Sequence, residues 1–227
     1  MTNQSEHESY LGAKGGSGVY QAIINVMAPH EFYGELFLGT GVIFKKKAPA
    51  KYNLVIDKSQ TMLDKFNYTV PENKICGCGI DYLENFKPFC KTQLYLDPPY
   101  MPETRTSNAR YEHEMTEADH QRLLTAAKKQ NQNDVKIIIS GYANPLYDEM
   151  LKDWWRKDFQ AMTRGGIRTE TIWLNYKPGD VHYHTYAGDN FTDRQRIKRK
   201  AQRWANKYKK LPAPEQQVIL AALLDTH

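Results

Sequence analysis

No stretch of this sequence is apolar for long enough to cross a bilayer. The run at 218–224 is only seven residues, against the ~18 or more that a spanning helix needs. The first ten residues, MTNQSEHESY, are polar and acidic, which argues against a secretory signal. Cysteine is scarce. Cys76, Cys78 and Cys90 are odd in number and have no framework spacing, so they are expected to be reduced thiols in a cytoplasmic protein. They also fall one ligand short of a finger-type zinc site. No Gly-Lys-Ser/Thr follows the glycine pair Gly39 and Gly41, and Phe44 stands where a dinucleotide fingerprint needs its third glycine. Triphosphate and dinucleotide sites are therefore disfavoured.

What is present reads as globular. The 227 residues suit one large domain, or one domain with an appendage. The 27 aromatics exclude disorder as the main state. Charge is unevenly spread. Residues 191–210 carry nine bases (Arg194, Arg196, Lys198, Arg199, Lys200, Arg203, Lys207, Lys209, Lys210) against Asp193 alone. The net +5 of the chain thus divides into +8 on this segment and −3 elsewhere. An acidic body with one basic arm points to a polyanionic partner, although a solvated helix face would look the same.

Short β-branched and aromatic runs at 32–37, 52–57, 92–97 and 135–140 each stop at Gly, Asp or Ser. Helical patterns lie at 19–27 and at 116–129, the latter opened by Thr-x-x-Asp. This alternation predicts an α/β fold with a mostly parallel sheet and helices on both faces. Residues 170–176 and 181–186 flank Lys-Pro-Gly-Asp and read as an antiparallel hairpin. From Thr192, with Gln195 completing a capping box, the chain reads as helix. Ile197, Ala201, Trp204 and Tyr208 form a narrow apolar stripe suited to docking on the body, and Pro212 and Pro214 end the helix. The expected division is a catalytic domain over 1–190 and a basic helical extension over 191–227.

Three segments carry chemistry. Glu35-Leu-Phe-Leu-Gly-Thr-Gly41 follows a strand, and its glycines allow a tight turn and close ligand approach. Ligands of a doubly wound sheet bind at such carboxyl ends. Asp57 ends the next strand, where an acid can hold a ribose hydroxyl or cap a helix. Leu-Tyr-Leu-Asp-Pro-Pro-Tyr at 94–100 is the most informative. A strand delivers the Asp97 carboxylate to the sheet edge, and Pro98 and Pro99 stiffen the backbone beyond it. The Pro98 carbonyl supplies a second acceptor and Tyr100 a flat face. Two acceptors beside a stacking plate suit an exocyclic amino group on a planar base.

These residues resemble the Dam-type N6-adenine DNA methyltransferases, whose hallmark is Asp-Pro-Pro-Tyr. The resemblance covers about residues 10–176. It implies a Rossmann-like, seven-stranded methyltransferase fold, S-adenosylmethionine as cofactor, and duplex DNA, with its adenine flipped out, as partner. A cognate restriction endonuclease is a further candidate partner; no metal and no membrane are implied. Catalysis is assigned by the resemblance to Asp97, Pro98, Pro99 and Tyr100. Cofactor binding is assigned to Tyr10, Lys14, Glu35, Phe37, Gly39, Gly41, Asp57, Asp81 and Asp97. Tyr10-x-x-x-Lys14, with Gly15 and Gly16, is similar to the family's N-terminal motif, in altered wording. Leu36 replaces its usual proline, and Asp81 matches the acid near the cofactor adenine. Residues 137–149 and 170–175 resemble later family segments.

Only 15 residues separate Asp81 from Asp97, so the family's long target-recognition insert is missing. Recognition then falls to Arg105, Arg110, Tyr111 and His113 after the catalytic motif, or to Arg194, Lys198, Arg199, Lys200 and Arg203 on the basic helix. The loop from Arg164 to Arg168 is either a DNA contact or an ordinary turn. His182 and His184 share a strand face without a carboxylate pair nearby, and Trp154 and Trp155 read as packing. An RNA adenine N6-methyltransferase, acting for example on ribosomal RNA, is the competing function, and a catalytically silent nucleic-acid-binding protein is the other.

Overall fold

Seven strands make one sheet in the order β3-β2-β1-β4-β5-β7-β6. The computed structural model describes residues 14, 18–68, 72–104, 112–131, 133–163, 166–179 and 191–224. Strands β1 (Phe32–Glu35), β2 (Tyr52–Asp57), β3 (Asn73–Cys76), β4 (Thr92–Leu96) and β5 (Lys136–Gly141) are parallel. β7 (Gly166–Leu174) runs antiparallel to both β5 and β6 (Trp155–Thr163). The expected α/β class holds: the sheet is seven-stranded and mostly parallel, with β7 the reversed strand. Strand order reverses between β1 and β4, which opens a crevice at their carboxyl ends.

Side-chain alternation assigns each strand residue to a face. On one face Phe32, Leu54, Ile56, Leu94, Leu96, Ile137, Ile139 and Trp173 are buried in a core shared with α4 (Gly79–Asn85), α5 (Glu117–Asn131) and α6 (Pro145–Met150). The register puts Glu35, Tyr95, Ser140 and Glu170 on the opposite face, with Asp57 at the end of β2. Polar groups therefore gather on one side of the crevice, and the other side is oil.

Local chemistry fixes the helix ends. Thr116 caps α5 reciprocally: its hydroxyl accepts from the Asp119 amide at 3.2 Å, and Asp119 accepts from the Thr116 amide at 2.9 Å. Asn144 caps α6 by accepting from the Tyr147 amide at 3.0 Å, with Pro145 at the first helical position. Gln130, fully buried on α5, donates to the carbonyls of Leu83 and Phe86 and so ties α5 to the end of α4.

An antiparallel hairpin forms between β6 and β7. Residues 170–174 belong to its second strand, and 181–186 lie outside the described residues. Two expectations need correction. Residues 164 to 168, read as a loop, contribute Gly166, Ile167 and Arg168 to β7. The basic helix α7 (Phe191–Tyr208) already contains Phe191, so Thr192 sits inside it rather than capping it.

Residues 1–185 and 186–227 are separate compact units. In the second, α7 is followed by α8 (Ala213–Leu224). The Tyr208 hydroxyl donates to the Gln216 carbonyl at 2.9 Å, which staples the two helices across Pro212. Trp204, Val218 and Leu223 are exposed.

Gly79 shows how tightly the crevice is built. A Cβ there would collide with the Leu36 carbonyl oxygen at the end of β1. A carbonyl of the main chain cannot swing aside as a side chain can. Gly79→Ala should therefore destabilise the protein by about 1–3 kcal/mol in urea unfolding; unchanged stability would show that α4 is free to shift.

Candidate active site

A crevice open to solvent lies at the carboxyl ends of the parallel strands. Its walls come from four strand ends. Glu35 to Thr40 follow β1, Asp57 to Ser59 follow β2, Gly77 to Ile80 open α4, and Tyr95, Asp97 and Pro99 close β4. His113 and Met115 add a rim.

Gly39 and Gly41 both have left-handed backbone, φ 50° and 62°, which bends the chain sharply after β1. The Gly39 amide donates to Asp57 Oδ2 at 2.8 Å, and the Ser59 amide to Oδ1 at 2.9 Å. Asp57 thus joins the loops after β1 and β2. It is not the cap of α3 (Gln60–Lys65), a position held by Ser59. Each oxygen keeps a lone pair for a ligand.

Glu35 is buried and accepts from the Tyr33 hydroxyl at 2.8 Å. Burial pushes its carboxyl up to about 8. Lys47, also buried, lies 4.1 Å from the Tyr33 ring centroid, and burial pushes its ammonium down to about 7.

At the end of β4, Asp97 is gripped from two sides. Lys14 Nζ stands 2.9 Å from Oδ1 and 2.8 Å from Oδ2. The Ser140 hydroxyl donates to Oδ1 at 2.8 Å, and Ser140 is in turn bonded to the Tyr95 hydroxyl at 2.9 Å. Because Ser140 gives its proton to Asp97, Tyr95 is the donor to Ser140. Lys14 also donates to the Tyr100 hydroxyl at 2.5 Å and lies 3.9 Å from Glu170 Oε2. Burial would lower the Lys14 ammonium, but Asp97 and Glu170 outweigh it and hold the group above its ordinary value. Glu170 is itself pushed up by burial. Tyr100 packs edge-on against Tyr142, centroids 4.7 Å apart.

The structure therefore brings together Lys14, Glu35, Phe37, Gly39, Asp57, Asp97 and Pro99 at the crevice, with Gly41 in its turn and Pro98 and Tyr100 beside it. Asp81 is not with them. It is exposed on the first turn of α4 and binds Arg122 at 2.6 Å, alongside Glu84; Cys78, Gly79 and Ile80 form the wall there. Lys14 touches Asp97 and Tyr100. His113 lines the crevice, whereas Arg194, Lys198, Arg199, Lys200 and Arg203 lie on α7 in the second unit. Tyr10, Arg105, Arg110, Tyr111, His182 and His184 lie outside the described residues. Among the described residues no cluster of His, Cys, Asp or Glu could hold a metal, and no helix is long and apolar enough to cross a membrane.

Sequence reading missed Ser140 and Glu170. Each is a polar residue on a strand position whose neighbours two away, Ile138 and Ile172, are buried. That break in the alternation was the available signal.

Residues 82–169 match the family model of the D12 class N6 adenine-specific DNA methyltransferases. The matched segment runs from within α4 to within β7 and includes Asp97, Pro98, Tyr100 and Ser140. Among solved structures, the N-methyltransferase NodS from Bradyrhizobium japonicum, in complex with S-adenosyl-L-homocysteine, is similar with a TM-score of 0.44. That likeness has 9% identity and covers 70% of this chain and 86% of NodS. An rRNA methylase from Streptococcus thermophilus gives a TM-score of 0.42 at 11% identity, over 68% of this chain and 93% of its own. Neither likeness bears on substrate. No curated protein sequence matches the chain.

The cofactor of the matched family, S-adenosylmethionine, fits the crevice. An adenosine needs acceptors for its ribose, and Asp57 has spare lone pairs. A cationic amino acid end needs a negative partner, which Glu35 would supply by giving up its proton.

Glu35 also yields a test of stability. In the unfolded chain it loses its proton near 4.5, in the folded one near 8. Between these values the folded state binds more protons, so its stability falls as pH rises. Lys47 acts in the opposite sense above pH 7. From pH 5 to 7, Glu35→Gln should therefore gain about 2 kcal/mol on the parent protein. Urea midpoints across that range check it; parallel curves would mean that Glu35 is ionised when buried.

Proposed function

We propose that the protein transfers the methyl group of S-adenosylmethionine to the N6 amino group of adenine in DNA. The observation that carries this reading is Asp97, an acceptor at the carboxyl end of β4. Its carboxylate is fixed by Lys14 and Ser140, beside Tyr100 and the crevice lined by Glu35, Gly39 and Asp57. The match to the D12 class over residues 82–169 supports the same chemistry.

Adenine N6 is a weak nucleophile because its lone pair is delocalised into the ring. Asp97 and the Pro98 carbonyl would accept its two N–H bonds and favour a tetrahedral nitrogen, which keeps the lone pair on the atom. When bound, S-adenosylmethionine supplies an electrophilic methyl group. The protein's own contribution is orientation and electrostatics, with no covalent link to the enzyme. Ser140 and Tyr95 hold the carboxylate plane, and Lys14 neutralises it until a donor arrives. Tyr100 would stack on the base, which must leave a duplex to reach it.

Asp57 would hold the cofactor ribose and Glu35 its ammonium group. The basic side chains of α7, Arg194, Lys198, Arg199, Lys200 and Arg203, would contact phosphates and set affinity rather than sequence. His113 would meet the substrate at the crevice rim. Arg105, Arg110 and Tyr111 belong to the same substrate-contacting set. We place this activity in the cytoplasm, where a cognate restriction endonuclease would be its companion if the methyl mark protects DNA from cleavage.

The test is transfer of tritiated methyl groups to unmethylated DNA and, separately, to RNA. The parent protein should label DNA, and Asp97→Ala should lower the rate by at least 100-fold while still binding S-adenosylmethionine. Label entering RNA alone would replace DNA by RNA as substrate. Near-normal turnover by Asp97→Ala would remove Asp97 from the chemistry.

A further inference from the structure

The catalytic tyrosine is the first member of a short aromatic and cationic ladder. Tyr100 meets the edge of Tyr142, and the Arg168 guanidinium lies 5.7 Å from the Tyr142 ring centroid. Arg168 is on β7, two residues before Glu170 and hence on the same sheet face. Glu170 reaches Lys14, which clasps Asp97. At ~3.4 Å per residue, Arg168 stands about 7 Å farther out along the strand, toward the turn of the hairpin. It is half-buried and backed by the Tyr142 ring.

Its partners distinguish it from the other described arginines of the body. Arg122 is bound to Asp81 and Glu84, and Arg156 to Asp148 and Asp158. Those two arginines are consumed by structural ion pairs. Among the described residues, Arg168 has a tyrosine face beneath it and no carboxylate beside it. A guanidinium resting on a ring keeps its planar N–H donors available, and their spacing matches two phosphate oxygens.

Resting on the DNA adenine reading above, we infer that Arg168 grips a backbone phosphate next to the extruded adenine, with Tyr142 as its platform. A base seated beside Tyr100 trails its sugar and phosphate outward, and Arg168 is the cation at the outer end of the ladder. The contact holds the nucleotide outside the duplex, so it acts on polynucleotide binding and leaves the cofactor untouched. It also gives the β6–β7 hairpin a role that the missing recognition insert leaves open.

The experiment uses the full chain and a fluorescein-labelled mixed-sequence DNA duplex, with binding followed by anisotropy at several salt concentrations. Arg168→Ala should bind roughly 10-fold more weakly, and the slope of log K against log salt should shrink by about 0.9, one phosphate contact. Arg168→Lys should keep the slope and recover part of the affinity. Tyr142→Phe should behave as the parent, whereas Tyr142→Ala should resemble Arg168→Ala. Affinity for S-adenosylmethionine should be unchanged in all four, which also reports that each variant folds. An Arg168→Ala protein with the parent's slope and affinity overturns the inference alone. A parent protein that binds no DNA overturns it together with the reading on which it rests.

Discussion

The site is organised around one problem: a carboxylate must sit at the end of a buried strand and stay ready to accept. Asp97 follows five buried residues of β4. Left alone there it would be costly. Lys14 supplies the opposite charge, and Ser140 a neutral hydrogen bond backed by Tyr95. Lys14 is in turn almost fully buried, so it depends on Asp97 and Glu170 as much as they depend on it. An ammonium and a hydroxyl donating to a carboxylate are also what an aromatic amino group would do on arrival. On the proposed function, the resting network imitates the amino donor that Asp97 would receive.

The fold delivers these groups by parity. On the face turned to α4 and α5, strands β1, β4, β5 and β7 carry Phe32, Leu94, Ile137, Ile139 and Trp173, whereas the opposite face sets Glu35, Tyr95, Ser140 and Glu170 among buried apolar residues such as Ile138 and Ile172. A one-residue slip in any of these strands would carry its polar side chain into the apolar core on the other face. The register is thus held by the oil on one face, and chemistry on the other face inherits its precision. Tight glycines do the rest: Gly79 lets α4 start against the Leu36 carbonyl, and Gly41 makes room for the Phe66 ring.

Much of this was legible in the sequence. β2 matches its apolar run end for end, β1 and β4 lie within theirs, and β5 is offset from its run by one residue, because buried parallel strands are written as near-continuous β-branched and aromatic segments. Asp57 and Asp97 stood out because each ends such a run. Other features were hidden for physical reasons. β3 is an exposed edge of four residues, Asn-Lys-Ile-Cys, with no apolar face to read. β6 mixes Arg156, Lys157 and Asp158 into its strand, so it resembles a loop until the Thr171 hydroxyl and Arg156 are seen to satisfy Asp158. The partnership of Lys14 with Asp97 spans 83 residues and leaves no local trace. Asp81 was assigned to the crevice by its place in the order of motifs, but Arg122, on a helix 41 residues away, engages it on the outside.

The most direct test of the central claim is a crystal structure of the protein with S-adenosylhomocysteine and a DNA duplex containing an adenine target. The complex should show an extruded adenine whose N6 lies within about 3 Å of an Asp97 oxygen and of the Pro98 carbonyl, with Lys14 moved off at least one carboxylate oxygen and Tyr100 against the base. An adenine left in the helix, or a base bound elsewhere with the Lys14–Asp97 pair intact, would contradict it.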